Sequence, residues 1–92
     1  MVLYTRKMRI VFTKHALIDK FAELKGHNFD LTKDDVIAVI DNSDHVDNKS
    51  DYPKIIVSKT FDKKHILRVV YKIENDIIKV ITFYPAEKGR YY

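Results

Sequence analysis

Side chains suited to chemistry lie in three places along the chain. Arg68 and Lys72 occupy positions of one apolar segment that a β-strand would present on the same face. His15 stands at the start of a segment with helical spacing, and an imidazole can accept and return a proton near neutral pH. The last five residues, 88–92, combine two cations with two tyrosines, which can contact anionic groups and stack on planar rings.

Composition narrows the classes of protein to which the chain can belong. The 92 residues suffice for one hydrophobic core, so residues 1–92 are interpreted as a single domain. The absence of cysteine excludes disulfides, thiolate catalysis and cysteine-ligated zinc. The net charge of +4 favours acidic partners such as nucleic acid. The longest apolar run, 36–40, is too short for a membrane span, and no secretory signal is recognised near the N-terminus. We therefore expect a cytoplasmic protein that does not associate with membranes.

Motifs for metals, nucleotides and serine catalysis are not found. His27, His45, Asp44 and Asp47 lack the His-x-x-x-His spacing that brings two ligands to one ion. Two glycines in the whole chain cannot form a phosphate-binding loop, and no Gly-x-Ser-x-Gly elbow occurs. The sequence therefore predicts neither a metal site nor a cofactor.

Periodicity predicts an α+β fold with two helices in the first half. A first strand is expected over 2–12, at an edge of the sheet, and a first helix over 14–25, where apolar residues recur at helical spacing before Gly26. Thr32 and Asp35 resemble a capping box at the start of a second helix that ends near 41–42. The polar segment 43–53 is typical of a mobile loop.

The second half predicts three strands, 54–61, 65–73 and 77–84, joined by connections too short for parallel crossovers. Side-chain alternation places His65, Leu67 and Val69 on the helix-facing side, with Arg68 and Lys72 on the partly wet side. In the last strand, alternation predicts that positions 78, 80, 82 and 84 share one face and that positions 77, 79, 81 and 83 share the other. Pro85 is expected to end the sheet and to leave a basic, aromatic tail.

The order of three short motifs resembles a known family. The segment 67–73 (LRVVYKI) is followed by an acidic turn, an apolar strand and the basic tail, as in the C-terminal half of RelE/ParE-type toxins. The motifs TKHA at 13–16, VVY at 69–71 and VITFYP at 80–85 resemble a small BrnT-like family related to those toxins. This resemblance implies an N-terminal strand and two helices packed on one face of a mostly antiparallel sheet of three or four strands.

The resemblance also implies a toxin of a toxin–antitoxin system that cleaves RNA or inhibits translation. The implied partners are RNA, which includes ribosome-associated mRNA, and a small antitoxin protein. Metal-free cleavage needs a base, an acid and cations around the phosphate. Arg68, which matches the sheet arginine of these toxins, His15 and Tyr91 are the catalytic candidates. The RNA-binding candidates are Lys72, Lys88, Arg90 and Tyr92.

Each of these assignments has a plainer alternative. Arg68 can serve only to pair with a neighbouring carboxylate, His15 can be a helix cap or surface residue, and the tail can be a solvated chain end. The alternative for the whole chain is a non-catalytic module of the same fold that binds nucleic acid or another protein. The oligomeric state is left open.

Overall fold

The computed structural model of the chain describes residues 3–5, 8–26 and 31–89, which form an α+β fold. One mixed sheet has the strand order β1-β2-β6-β5-β4-β3. The strands are β1 (Leu3–Thr5), β2 (Met8–Phe12), β3 (His45–Asp47), β4 (Ile55–Thr60), β5 (His65–Glu74) and β6 (Ile77–Glu87). All neighbouring strands are antiparallel except β2 and β6. The sheet thus has six strands where three or four were expected, because two three-residue strands extend its edges.

The N-terminal segment forms two strands instead of one. β1 pairs with β2 in antiparallel register, and β2 also pairs with β6, so β2 lies inside the sheet. The prediction of an edge position is correct for β1 and wrong for β2. Ile10 and Phe12 of β2 are buried in the core, which explains why this strand is enclosed between two others.

The first helix begins with a π-helical turn, His15–Lys20, that continues into α1, Phe21–Gly26. The Thr13 hydroxyl accepts the N–H of Ala16 at 3.3 Å and donates to the carbonyl of Ile81 at 3.2 Å, which ties the helix start to β6. Phe21 packs on Phe83 of β6 with ring centroids 4.6 Å apart. The predicted helix over 14–25 is therefore confirmed within one residue at each end.

The second helix, α2, spans Lys33–Asp41 and has the predicted capping box. The Thr32 side chain accepts the N–H of Asp35, and the Asp35 carboxylate accepts the N–H of Thr32. Val36 and Val39 are buried against the sheet. These reciprocal bonds satisfy two of the backbone donors that a helix start leaves without partners.

The segment 43–53, expected to be a loop throughout, contains β3, which pairs with residues 56–58 in the middle of β4. Beyond it, the three predicted strands form the meander β4, β5 and β6. The turn between β5 and β6 has two residues, Asn75 and Asp76, both with positive φ, as tight hairpins require.

Pro85 does not end the sheet, because β6 continues to Glu87 and Pro85 pairs with Leu67. β2 pairs with β6 only over residues 77–80. Within the described part of the sheet, β6 therefore has one neighbouring strand, β5, at Pro85. In such a strand every second residue directs its N–H away from the neighbouring strand, so a proline can stand there without removing a ladder bond.

A β-bulge at Ile81 reverses the alternation of β6. Val70 pairs with Thr82 and Tyr71 with Val80, so Ile81 has no partner across the ladder. Phe83 therefore joins Val80 in the core, while Thr82 moves to the opposite face. The predicted grouping of positions 80, 82 and 84 on one face was wrong for this reason.

Both helices pack on one face of the sheet, as expected. The core there includes the helix residues Ala16, Leu24, Val36 and Val39 and the sheet residues Ile10, Val57, Leu67, Val69, Val80 and Phe83. Alternation places Arg68 on the opposite side of the sheet, the helix-free face. No helix within the described residues is long and apolar enough to cross a membrane.

Candidate functional site

Arg68 lies in the middle of the helix-free face and is 6% exposed. Its Nε–H donates to the Tyr84 hydroxyl at 3.1 Å, and its Cζ lies 5.7 Å from the centre of the Tyr84 ring. Tyr84 is the cross-strand partner of Arg68, which explains how the ring covers the guanidinium. The bond to Tyr84 uses one of the five N–H donors of the guanidinium. The face was expected to be partly wet, yet its central cation is shielded from solvent.

The last residue of β3 adds a carboxylate to this environment. Asp47 accepts the backbone N–H groups of Lys49 and Ser50 at 3.1 and 3.0 Å. The N–H of Ser50 is the main reason why the pKa of Asp47 lies below its ordinary value, and the charge of Arg68 lowers it further. Asp47 is therefore ionised at neutral pH, and its negative charge attracts the positive charge of Arg68.

A row of three residues crosses the helix-free face next to Tyr84. His45 of β3 pairs with Ser58 of β4, and Ser58 pairs with Arg68 of β5. Adjacent strands lie about 4.8 Å apart, so His45 and Arg68 lie roughly 10 Å apart across the row. Serine is the smallest of the three side chains, and Ser58 is fully buried between its two larger neighbours. The row places an acid–base group and a cation on either side of one small residue.

A pocket of about 200 Å³ lies at one end of this row. The residues around it are Asp44, His45, Ser58, Lys59, Thr60, Ile66 and Lys88. Ser58 is fully buried, and its hydroxyl has no hydrogen-bond partner. A buried hydroxyl without a partner costs free energy, so this atom is a candidate for bonding to a ligand.

Lys72 lies at the other end of the helix-free face, four residues from Arg68 along β5, or roughly 13 Å. Its Nζ lies 3.4 Å from the Glu74 carboxylate, which also pairs with Lys79 at 3.0 Å. The hydrogen bond from Lys79 is the main reason why the pKa of Glu74 lies below its ordinary value. Lys72 shares the face of Arg68, but its nearest described anion is Glu74.

His15 lies on the helix side of the sheet. Its side chain is 55% exposed, and its Nδ1 is 3.6 Å from the Asp19 carboxylate one helical turn away. The next residue, Ala16, is buried in the core between helix and sheet. The structure therefore does not bring His15 and Arg68 together, because the sheet separates them.

The predicted tail is described only in part. Lys88 lies at the pocket next to Ser58, and its backbone N–H donates to the carbonyl of Lys64 at 2.8 Å. Tyr91, the third catalytic candidate, lies outside the described residues, as do Arg90 and Tyr92. Of the seven predicted site residues, Arg68, Lys72 and Lys88 are thus placed on or beside one face.

Sequence reasoning missed the roles of three neighbours of Arg68. Tyr84 was grouped with Ile78 and Val80, which lie in the core, because the bulge at Ile81 is not visible in the alternation. His45 was considered only as a metal ligand, since its segment was expected to be a loop. Ser58 gave no signal at all. The strand pairing of β3 is the feature that brings His45 to the site.

The described residues contain no group of three or more His, Asp or Glu side chains that could hold a metal ion. No protein family model, curated protein or solved structure matches the chain.

Proposed function

We propose that the chain is a toxin-like protein of the RelE/ParE type that binds RNA on its helix-free face and cleaves it, or blocks translation, without a metal ion. The observation that carries the proposal is the position of Arg68 beside Tyr84, Ser58 and the pocket, on the face that the helices leave open. The arrangement of a N-terminal strand, two helices on one face and an antiparallel meander supports the resemblance.

The chemistry of metal-free cleavage fits the groups on this face. The ribose 2′-oxygen attacks the adjacent phosphate, a base removes its proton, and an acid protonates the leaving 5′-oxygen. Arg68 stabilises the charge on the phosphorane, because a guanidinium can hold two phosphate oxygens at once. His45 takes the acid–base role, since it shares the face of Arg68 and His15 does not. The phosphate displaces Asp47 as the partner of the guanidinium charge.

The test compares two histidines on opposite sides of the sheet. His45→Gln should lower the rate of RNA cleavage in vitro by about 10²–10⁴-fold, the usual effect of removing an acid–base group. Arg68→Lys keeps the charge but loses the planar fork, and should also reduce cleavage. His15→Gln is the matched control and should cleave as the parent protein does. Circular dichroism of each variant verifies that it is folded.

Growth after induced expression provides the second readout. The parent protein should arrest growth, and His45→Gln and Arg68→Lys should relieve the arrest. Intact RNA in vitro together with unchanged growth on expression of the parent protein would contradict the proposal. Equal loss of cleavage in His15→Gln and His45→Gln would contradict the assignment of the acid–base role.

A non-catalytic RNA-binding module is the second candidate. The burial of Arg68 favours it, because a guanidinium held by Tyr84 and opposed by Asp47 can serve the fold alone. This candidate predicts RNA binding whose affinity falls with salt and which yields no cleavage products. The salt slope gives the number of phosphates engaged.

The resemblance also leads us to propose a small antitoxin as partner. Leu17 and Ile18 of the first helix are exposed, at 38% and 55%, on the side away from the proposed RNA site. An adjacent reading frame encoding a short protein with a DNA-binding segment and an amphipathic tail would support this partner. Co-expression of the two proteins should abolish the growth arrest.

A further inference from the structure

The pocket beside Arg68 combines one apolar wall, one ring and several polar groups. The buried Ile66 provides the apolar wall, and His45 of β3 provides the planar ring. A volume of about 200 Å³ is below the roughly 300–1,000 Å³ of pockets for drug-sized ligands. A single flat group of the size of one nucleobase is the appropriate occupant.

The polar groups of the pocket match the edge of a base. Asp44 accepts the backbone N–H of Thr60 at 3.0 Å, and its own N–H donates to the carbonyl of Ser58 at 2.8 Å. Both bonds fix the Asp44 carboxylate at the pocket, where it can accept further N–H groups. The buried Ser58 hydroxyl, which has no partner, and the Thr60 hydroxyl can each donate or accept.

The charged groups around the pocket favour a base over a phosphate as its occupant. A carboxylate repels a phosphate that enters the pocket, whereas it attracts the amino group of adenine, cytosine or guanine. Lys88 supplies a cation at the same pocket, where it can contact the phosphates of an RNA strand.

We infer that this pocket binds one nucleobase of an RNA strand whose neighbouring phosphate lies at Arg68, and that Asp44 favours bases with an amino group over uracil. The inference rests on the proposed function and specifies its substrate: unpaired RNA with an amino-bearing base at this position. Ser58 bonds to the base edge, and His45 stacks on the base plane.

The inference is tested with mononucleotides, without RNA and without cleavage. AMP, CMP, GMP and UMP are titrated into the full chain, and amide chemical shifts are followed by NMR. Shifts should concentrate at His45, Ser58 and Thr60, and UMP should bind most weakly. Ribose 5-phosphate, which lacks a base, should leave the chemical shifts of these amides unchanged. Equal shifts with ribose 5-phosphate, or no shifts with any nucleotide, would overturn the inference.

Asp44→Asn isolates the role of the carboxylate. The asparagine carbonyl still accepts the N–H of Thr60, so the strand pairing is retained. Binding of AMP, CMP and GMP should weaken by about tenfold, while binding of UMP changes little. Asp76→Asn removes the same charge from the turn at the other end of β5 and should leave all four affinities unchanged.

The two proposals fail in different ways. If mononucleotides do not bind while RNA binds and is cleaved, only the base pocket is wrong. If mononucleotides bind with the expected preference while His45→Gln cleaves RNA as the parent does, the catalytic proposal fails and the pocket stands. A loss of preference in Asp76→Asn equal to that in Asp44→Asn would overturn the role of Asp44.

Discussion

The residues of the helix-free face show how a strand position acquires a chemical role through its neighbours. Arg68 was identified from its type and its place on a strand, but its environment is made by residues distant in sequence. Tyr84 covers its guanidinium, Asp47 opposes its charge, and Ser58 separates it from His45. None of these contacts follows from the local segment 65–73, because each depends on which strand lies next to β5.

Ser58 provides a prediction at the residue scale. Its hydroxyl is buried without a partner, so Ser58→Ala should raise the free energy of unfolding by about 1 kcal/mol, measured by urea denaturation. Ser50, by contrast, is exposed, so water satisfies its hydroxyl and Ser50→Ala should not stabilise the chain. A Ser58→Ala variant less stable than the parent would show that the hydroxyl is satisfied in the folded state.

The elements were predictable wherever local chemistry determines them. The helix start at Thr32, the stop at Gly26 and the three long strands of the second half follow from capping residues and periodicity. The strand β3 and the bulge at Ile81 do not, because a three-residue strand and an unpaired residue are stabilised by their partners across the sheet. The site depends on both, which is why its composition was only partly predicted.

The connection between β4 and β5 gives a prediction at the element scale. Asp62 accepts the N–H groups of Lys64 and His65 at 2.8 Å, and the bond from Lys64 is the main reason why its pKa lies below the ordinary 3.8. A lowered pKa in the folded state means that the carboxylate stabilises the fold above pH 3.8 and that this contribution is lost as the pH falls through the lowered value.

The measurement is urea denaturation between pH 6 and pH 2 for the parent and Asp62→Asn. The stability difference between them should be greatest at pH 6 and should shrink as Asp62 becomes protonated. Asp76→Asn gives the reference for the loss of one negative charge. A difference between parent and Asp62→Asn that stays constant over this range would contradict the role of the Asp62 carboxylate.

At the scale of the whole molecule, the sheet separates two sides with different properties. The helix side contains the apolar core and, at the start of the first helix, His15. The helix-free side carries Arg68, Lys72 and the pocket near Lys88. From the sequence alone His15 and Arg68 could be combined into one site, because periodicity gives the face of each element but not how elements are arranged around the sheet.

The most direct test of the RNA-binding proposal is an NMR titration of the full chain with a short single-stranded RNA. We expect the amides of His45, Ser58, Arg68 and Tyr84 to shift, while those of Leu17 and Val36 on the helix side do not. Raising the salt concentration should reverse the shifts, because binding releases counterions from the phosphates. Shifts confined to the helices, or no shifts at low salt, would contradict the account.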